Sequence, residues 1–188
     1  MKSKLQNRLE SGLSAITAEI MPPRGGDTAL ALSKALTLDE LVHGFNVTDG
    51  SRAIMRMSSL SLCKLLLEAN LEPIFQLSCR DRNRIGLQAE LLGAYALGIK
   101  NILCLTGDPV RIGDQPEAKP VHDFNSLQLL EQVKSFNNSE DPVRGGLPDG
   151  PTSLFTGAAA DPNCKGFDSL RRRIESKKEA GASFLQTQ

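Results

Sequence analysis

The chain has 188 residues, with 22 Lys+Arg against 22 Asp+Glu, 40% hydrophobic and 4% aromatic residues, four Cys and no Trp. That is the size of one domain with room for a real core. Zero net charge argues against a nucleic-acid scaffold, which carries a basic excess or stripe.

In chain order, short apolar strand patterns alternate with longer helical ones. The start, MKSKLQNRLESG, is polar and amphipathic and lacks the apolar segment and cleavage site of a secretory signal. A strand is predicted at Ala15–Ile20, a helix at 27–37, a strand at Gly44–Thr48 and a helix at 56–70. A strand at Pro73–Ser78, a helix at 83–97 and a strand at Asn101–Gly107 follow. A helix at 123–136, a strand at Ser153–Ala159, a helix at 167–181 and a strand at Ser183–Gln188 complete the series. MSSLSLCKLLLEAN and RIGLQAELLGAYALG carry the clearest three-and-four spacing, and Gly98 stands where a helix C-terminal glycine belongs. Asn137–Pro151, rich in Gly, Pro, Asn and Asp, is predicted to be an inserted surface loop within a single domain spanning 1–188. No stretch approaches the roughly 18–20 apolar residues of a membrane span.

Strict alternation of this kind implies a mostly parallel sheet with right-handed crossovers. The polar ends of the strands fall near 19, 48, 77, 107, 159 and 187, at intervals of 29, 29, 30, 52 and 28. A unit of about thirty residues points to an α/β fold of the (β/α)8 TIM-barrel type, which needs roughly 250 residues. A doubly wound open sheet is the alternative. Only about six of the eight βα units are present, and the sequence ends on a strand. The expectation is therefore a C-terminally truncated barrel, a barrel completed by another chain, or a different fold.

Cys63, Cys79, Cys104 and Cys164 form no CxxC pair and have no His at ligand spacing, so neither a zinc site nor a disulfide framework is indicated. Three of them lie in apolar or strand-like surroundings, as buried thiols in a reducing cytoplasm would. The basic cluster Arg171-Arg172-Arg173 with Lys177-Lys178 lies in a helical pattern, and its plain reading is a solvated helix face.

At the C-terminal ends of barrel strands, side chains point to the catalytic face. Those ends deliver Glu19, Thr48-Asp49, Gln76 and Ser78, Thr106-Gly107-Asp108, Ala159 with Asp161, and Thr187-Gln188. Glu19, flanked by Ile20 and Met21 before two prolines, is expected to be partly desolvated with a raised pKa, as suits a general acid. The alternative is a half-exposed Glu paired to Arg24. Asp108 follows Gly107, which permits close approach of a ligand, although turn chemistry alone also explains an Asp there. No glycine-rich phosphate loop is present. A nucleotide cofactor would have to bind through barrel loops and helix N-termini, aided by charges such as Lys177. His43 and His122 stand near no nucleophile motif, so Ser/His/Asp catalysis is unsupported.

AEIMPP, NVTDG with SRAIMRMSS, QLSCRDRN, LCLTGDP, GAAADPN and EAGASFLQTQ occur in this order. Together they resemble the bacterial 5,10-methylenetetrahydrofolate reductase family, over about residues 13–188. The resemblance implies a flavin-binding barrel that reduces 5,10-methylenetetrahydrofolate to 5-methyltetrahydrofolate, with electrons from NAD(P)H passing through FAD. It implies that Glu19 protonates the folate so that its imidazolidine ring opens. Asp108 would hold the pterin's amide and amino edge, where a carboxylate accepts two N–H bonds side by side. Implied flavin contacts are Thr48, Gln76, Thr106, Gly107, Asp108, the His122-Asp123 segment, Ala159 and Lys177. Gln188 would touch both folate and nicotinamide. Some members have His in place of Gln76, Arg in place of Thr106 and Tyr in place of Ala159. The family's last two βα units have no counterpart in this sequence. Two other readings stand beside this one. The chain could be a non-catalytic fragment or subunit that needs a partner chain, a partner protein or a further copy in a homo-oligomer, to complete the barrel, or another pterin-binding barrel such as a corrinoid-linked methyltransferase, against which Glu19 and the QLSC/LTGDP set argue.

Overall fold

The computed structural model describes residues 2–139, 146–147, 149–164 and 166–187. Six strands form one sheet: β1 (Ala18–Ile20), β2 (Phe45–Val47), β3 (Pro73–Ser78), β4 (Asn101–Leu105), β5 (Phe155–Ala159) and β6 (Phe184–Gln186). Every pairing is parallel and the order is sequential, β1 to β6. A doubly wound sheet reverses its order at a switch point, so that alternative is ruled out. The segment Ala15–Thr17 and the strand β6 line opposite sides of a single groove of about 450 Å³. The sheet therefore curls like part of a barrel, with β1 and β6 as its two ends.

Between the strands run α2 (Ala29–Leu38), α3 (Ser59–Glu68), α4 (Arg84–Ala96), α5 (Ser126–Asn138) and α6 (Phe167–Glu179), all at the predicted places. Their starts follow local chemistry. The Asn83 side chain accepts the Gly86 N–H at α4, and Asn125 with Gln128 forms a reciprocal capping box at α5. Gly98 follows α4 with φ +87°, as its position predicted. β3 spans its predicted range, and the other strands are shorter than expected. Ala15–Thr17 and Ser153–Leu154 stay outside β1 and β5, and β4 ends at Leu105 because the chain turns at Gly107. The predicted loop begins later than Asn137, since α5 continues to Asn138, and residues 140–145 and Pro148 lie outside the described residues.

Register separates the two faces of the sheet. Phe75, Leu77, Ile102, Cys104 and Ala158 point outward and pack with Leu62, Leu66, Leu87, Leu91, Leu130 and Val133 of the helices. Inward, Asn46 is level with Ile74, Ile74 with Asn101 and Asn101 with Phe155. One step up, Gln76, Leu103, Gly157 and Phe184 are level.

The helix the sequence reading missed is α1 (Lys4–Glu10). Its buried Leu5 packs against Ile74, Leu103 and Phe155, so α1 covers the N-terminal end of the sheet's inner face. Full burial of one leucine contributes about 1.5–3 kcal/mol. Ser3 caps the helix and also donates from Oγ to Asn101 Oδ1 at 2.6 Å, while the Glu72 carboxylate receives the Lys4 and Leu5 N–H groups. A seven-residue segment with two apolar positions has little periodic signal, so only its tertiary contacts reveal it. Cys63, Cys79 and Cys104 are buried free thiols as expected, and burial pushes the Cys79 thiol up to about 11. Among the described residues no helix is long and apolar enough to cross a membrane.

Candidate active site

Toward the C-terminal ends of the strands the inner face changes from apolar to polar. Glu19, Thr48, Asp49, Ser51, Gln76, Ser78, Leu105, Thr106, Gly107 and Asp108 surround one cavity of about 260 Å³. Four separate strand ends thus bring six of the predicted site residues together. A second cavity of about 200 Å³ shares Gln76 and Leu105 with the first and continues to Ala159, Asp161 and Gln186. Lys177 on α6 donates to the carbonyl oxygen of Ala159, which places its ammonium at the end of β5. Burial, together with the neighbouring Arg173 charge, pulls the Lys177 pKa below its ordinary value.

Two expectations about Glu19 are corrected. It is exposed, so the desolvation predicted from its apolar neighbours is absent: Ile20 points to the opposite face, into the outer core. Nor is Arg24 its partner, since Arg24 Nη2 pairs with Asp114 Oδ2 at 2.6 Å. Asp108 does line the cavity, with Oδ2 accepting the Arg52 N–H at 2.6 Å. Gly107 beside it has φ +94°, and a Cβ there would lie 2.8 Å from Arg80 Cβ, so the turn requires glycine.

His122 and Asp123 line neither of these cavities. Asp123 receives the Arg84 backbone N–H at 2.9 Å and the Arg84 guanidinium at 3.0 and 3.1 Å, at the start of α4. These bonds hold its carboxyl down to about 2, below the ordinary 3.8. A depressed carboxylate contributes its stabilisation fully above the unfolded value and loses it as pH falls through the folded one. The Arg84–Asp123 contribution is thus expected to hold above about pH 4 and to fade toward pH 2. Arg84→Ala should raise the Asp123 midpoint toward the ordinary carboxylate value without reaching it, because the backbone N–H of residue 84 still donates to Asp123. Carboxyl-carbon NMR titration measures this directly, and an unmoved midpoint would sink the assignment. Gln188, the predicted folate contact, lies outside the described residues.

The structure gives one predicted rim residue, Asp49, its partners, and adds Gln186, which the sequence reading did not single out. Asp49 is 8% exposed and accepts from Arg82 at 2.7 and 3.3 Å, from Ser78 N at 2.9 Å, from Ser78 Oγ at 3.0 Å and from Ser59 Oγ at 3.3 Å. It ties the end of β2 to the end of β3. Gln186 also belongs to the site, and the two-residue alternation of β6 would have indicated it. Thr48 Oγ1 and Gln186 Oε1 are both buried without a hydrogen-bonding partner among the described residues. Buried polar atoms are normally paired, so these two fit a site that takes a polar ligand such as FAD. Among the described residues no group of three or more His, Cys, Asp or Glu could hold a metal ion.

The Methylenetetrahydrofolate reductase family model matches residues 4–188. The chain belongs to this family. Among solved structures, this methylenetetrahydrofolate reductase family member is similar to two crystal forms of 2,3-dimethylmalate lyase, a PEP mutase/isocitrate lyase superfamily member. Identity is 12% to both, with TM-scores of 0.59 and 0.53. The match covers 100% of this chain but 62% and 63% of those chains. At such identity the likeness shows fold alone. The chain spans just under two thirds of the length of those structures.

Proposed function

We propose that this chain forms the flavin- and folate-binding site of an enzyme that reduces 5,10-methylenetetrahydrofolate to 5-methyltetrahydrofolate, with FAD as cofactor and NAD(P)H as electron donor. The observation that carries this reading is the convergence of Glu19, Thr48, Gln76, Thr106, Gly107 and Asp108 on one cavity, in a chain of this family. When bound, FAD would supply the hydride that folate accepts.

The residues divide the remaining work. Glu19 carries a carboxyl at the mouth of the cavity, where it can give its proton to a ring nitrogen of the folate imidazolidine and so favour ring opening. Asp108 has one oxygen fixed by the Arg52 N–H and the other left for the N–H edge of a pterin. Thr48, Gln76 and Gly107 would hold the flavin ring through hydroxyl, amide and backbone groups. Thr106, whose Oγ1 accepts the Ser126 N–H at 3.3 Å, joins that wall to the start of α5. Ala159 and Lys177 would lie toward the cofactor phosphates, with His122 and Asp123 at the periphery and Gln188 toward folate and nicotinamide. Free cysteines suit a reducing cytoplasm.

A second reading is favoured by the groove between Ala15–Thr17 and β6. In it the chain works only with further βα units from a partner protein or a second copy, and its mass by size exclusion with light scattering separates the two. The experiment that tests the main reading is the visible spectrum of the purified chain after incubation with FAD and desalting. Flavin bands at near-equimolar occupancy are expected, and Thr48→Val should lower the retained fraction. A colourless chain that stays folded would overturn flavin binding by these residues.

A further inference from the structure

Arg80 stands two residues past the end of β3 and is 4% exposed. Its guanidinium spans several segments. Nε and Nη2 donate to the Asp81 carboxylate at 2.7 and 2.6 Å, while Nη1 donates to the Gly50 carbonyl at 3.0 Å and to the Asp108 carbonyl at 3.5 Å. The Arg80 carbonyl accepts the Val121 N–H at 2.7 Å, immediately before His122 and Asp123. The loops after β2, β3 and β4 are therefore joined through one side chain.

Two glycines make room for it. Gly50 has φ +55°, and a Cβ there would lie 2.5 Å from Arg80 Nη2; a Cβ on Gly107 would lie 2.8 Å from Arg80 Cβ. Between Gly50 and Asp108 the chain is strained. Arg52 and Ala53 hold φ +59° and +56°, a left-handed region that L side chains avoid. Such conformations persist only where the surroundings over-determine them. Here the Arg52 N–H is spent on the Asp108 carboxylate, and Arg80 grips the carbonyls on either side of that contact, at Gly50 and at Asp108.

We infer that Arg80 is a positioning residue for Asp108, fixing the Gly107–Asp108 turn against the strained Gly50–Ala53 turn so that one carboxylate oxygen stays aimed at the pterin site. This rests on the folate reading above. Arg80 does not line the cavity that Asp108 lines; it lies in a separate cleft with Arg82 and Val110, and so acts through Asp108. A guanidinium suits the task because its five donors, spread over a planar fork, make a bidentate pair with the carboxylate and reach two carbonyls as well, four bonds where a lysine ammonium has three donors on one atom.

The test uses the full chain, Arg80→Lys, Arg80→Met, Asp108→Asn and the double variants. In the absence of ligand, exchange of the Arg52 amide proton, read by NMR, is expected to rise at least about tenfold in Arg80→Lys, while amides inside α3 and α4 hold. Affinity for 5-methyltetrahydrofolate, read by fluorescence titration, should fall about tenfold, which corresponds to one lost charge-assisted hydrogen bond. On an Asp108→Asn background the same substitution should cost less than about twofold. Equal losses on both backgrounds would mean a general structural role and would overturn the inference. If Arg80→Met fails to fold, Arg80→Lys carries the test, because it keeps the charge and most of the bulk. If the unaltered chain binds no 5-methyltetrahydrofolate, the function reading fails. The Arg52 exchange then decides the positioning by itself, and unchanged exchange overturns it.

Discussion

Glu19→Gln in the FAD-loaded enzyme is expected to slow the folate half-reaction by about 10²–10⁴-fold, the usual contribution of a positioned general acid. Reduction of the flavin by NAD(P)H should continue near its original rate, because in the proposed mechanism only ring opening of the folate needs that proton. Glutamine keeps the size and hydrogen-bonding capacity of glutamate but has no proton of suitable acidity to give. The side chain is exposed and lies on a short strand, so the substitution is expected to change stability by no more than about 0.5 kcal/mol. Loss of rate can then be read as chemistry and not as unfolding. Stopped-flow measurement of the two half-reactions at the flavin band separates them, and an unchanged folate rate would remove Glu19 from the mechanism.

The largest effect on stability is expected at Asp49. Asp49→Ala removes the acceptor for the Ser78 N–H and Oγ and for the Arg82 fork, and among the described residues leaves that largely buried guanidinium with the 3.7 Å contact to Glu90 and the more distant charge of Asp81. Breaking a buried ion pair from one side costs about 3–5 kcal/mol. The lower end applies here, because Arg82 retains some exposure. Asp49→Asn keeps an oxygen for Ser78 but loses the charge, and should cost about half as much, near 1.5 kcal/mol. Urea unfolding of the three proteins checks the order. A cost below about 0.5 kcal/mol for Asp49→Ala would mean that the β2 and β3 ends are held by something else. Since Thr48, Gln76 and Ser78 stand on these two strand ends, a real loss at Asp49 should also lower the fraction of FAD retained.

How much of the site was legible depends on the kind of residue. Glu19, Thr48, Gln76, Thr106, Gly107 and Asp108 were found because a parallel sheet with regular units places every strand's C-terminal end on one rim, whatever the details of packing. Asp123 lines neither cavity and pairs with Arg84 at the start of α4, a contact that no periodicity in the sequence signals. Arg80 and Arg82 stood in a recognisable motif, QLSCRDRN, yet a run of charges after a strand looks the same whether it is solvated or folded back beneath two loops. Glu19 illustrates the difference within one residue. The alternation of β1 gives its face, while its exposure depends on what the rest of the molecule places around it.

The sequence by itself determined the α/β class, the alternation of the six strands with the five helices between them, the parallel pairing and most of the residues presented at the rim. All of these follow from local periods of two and 3.6 residues and from one repeated spacing. Only the tertiary structure decided that α1 covers the inner face through Leu5, that Arg24 serves Asp114 and not Glu19, and that Arg80 and Asp49 tie the loops of the cavity together. Those arrangements are contacts between segments far apart in the chain. Their partners are chosen by burial and by hydrogen-bonding need in the folded state, which no local pattern encodes.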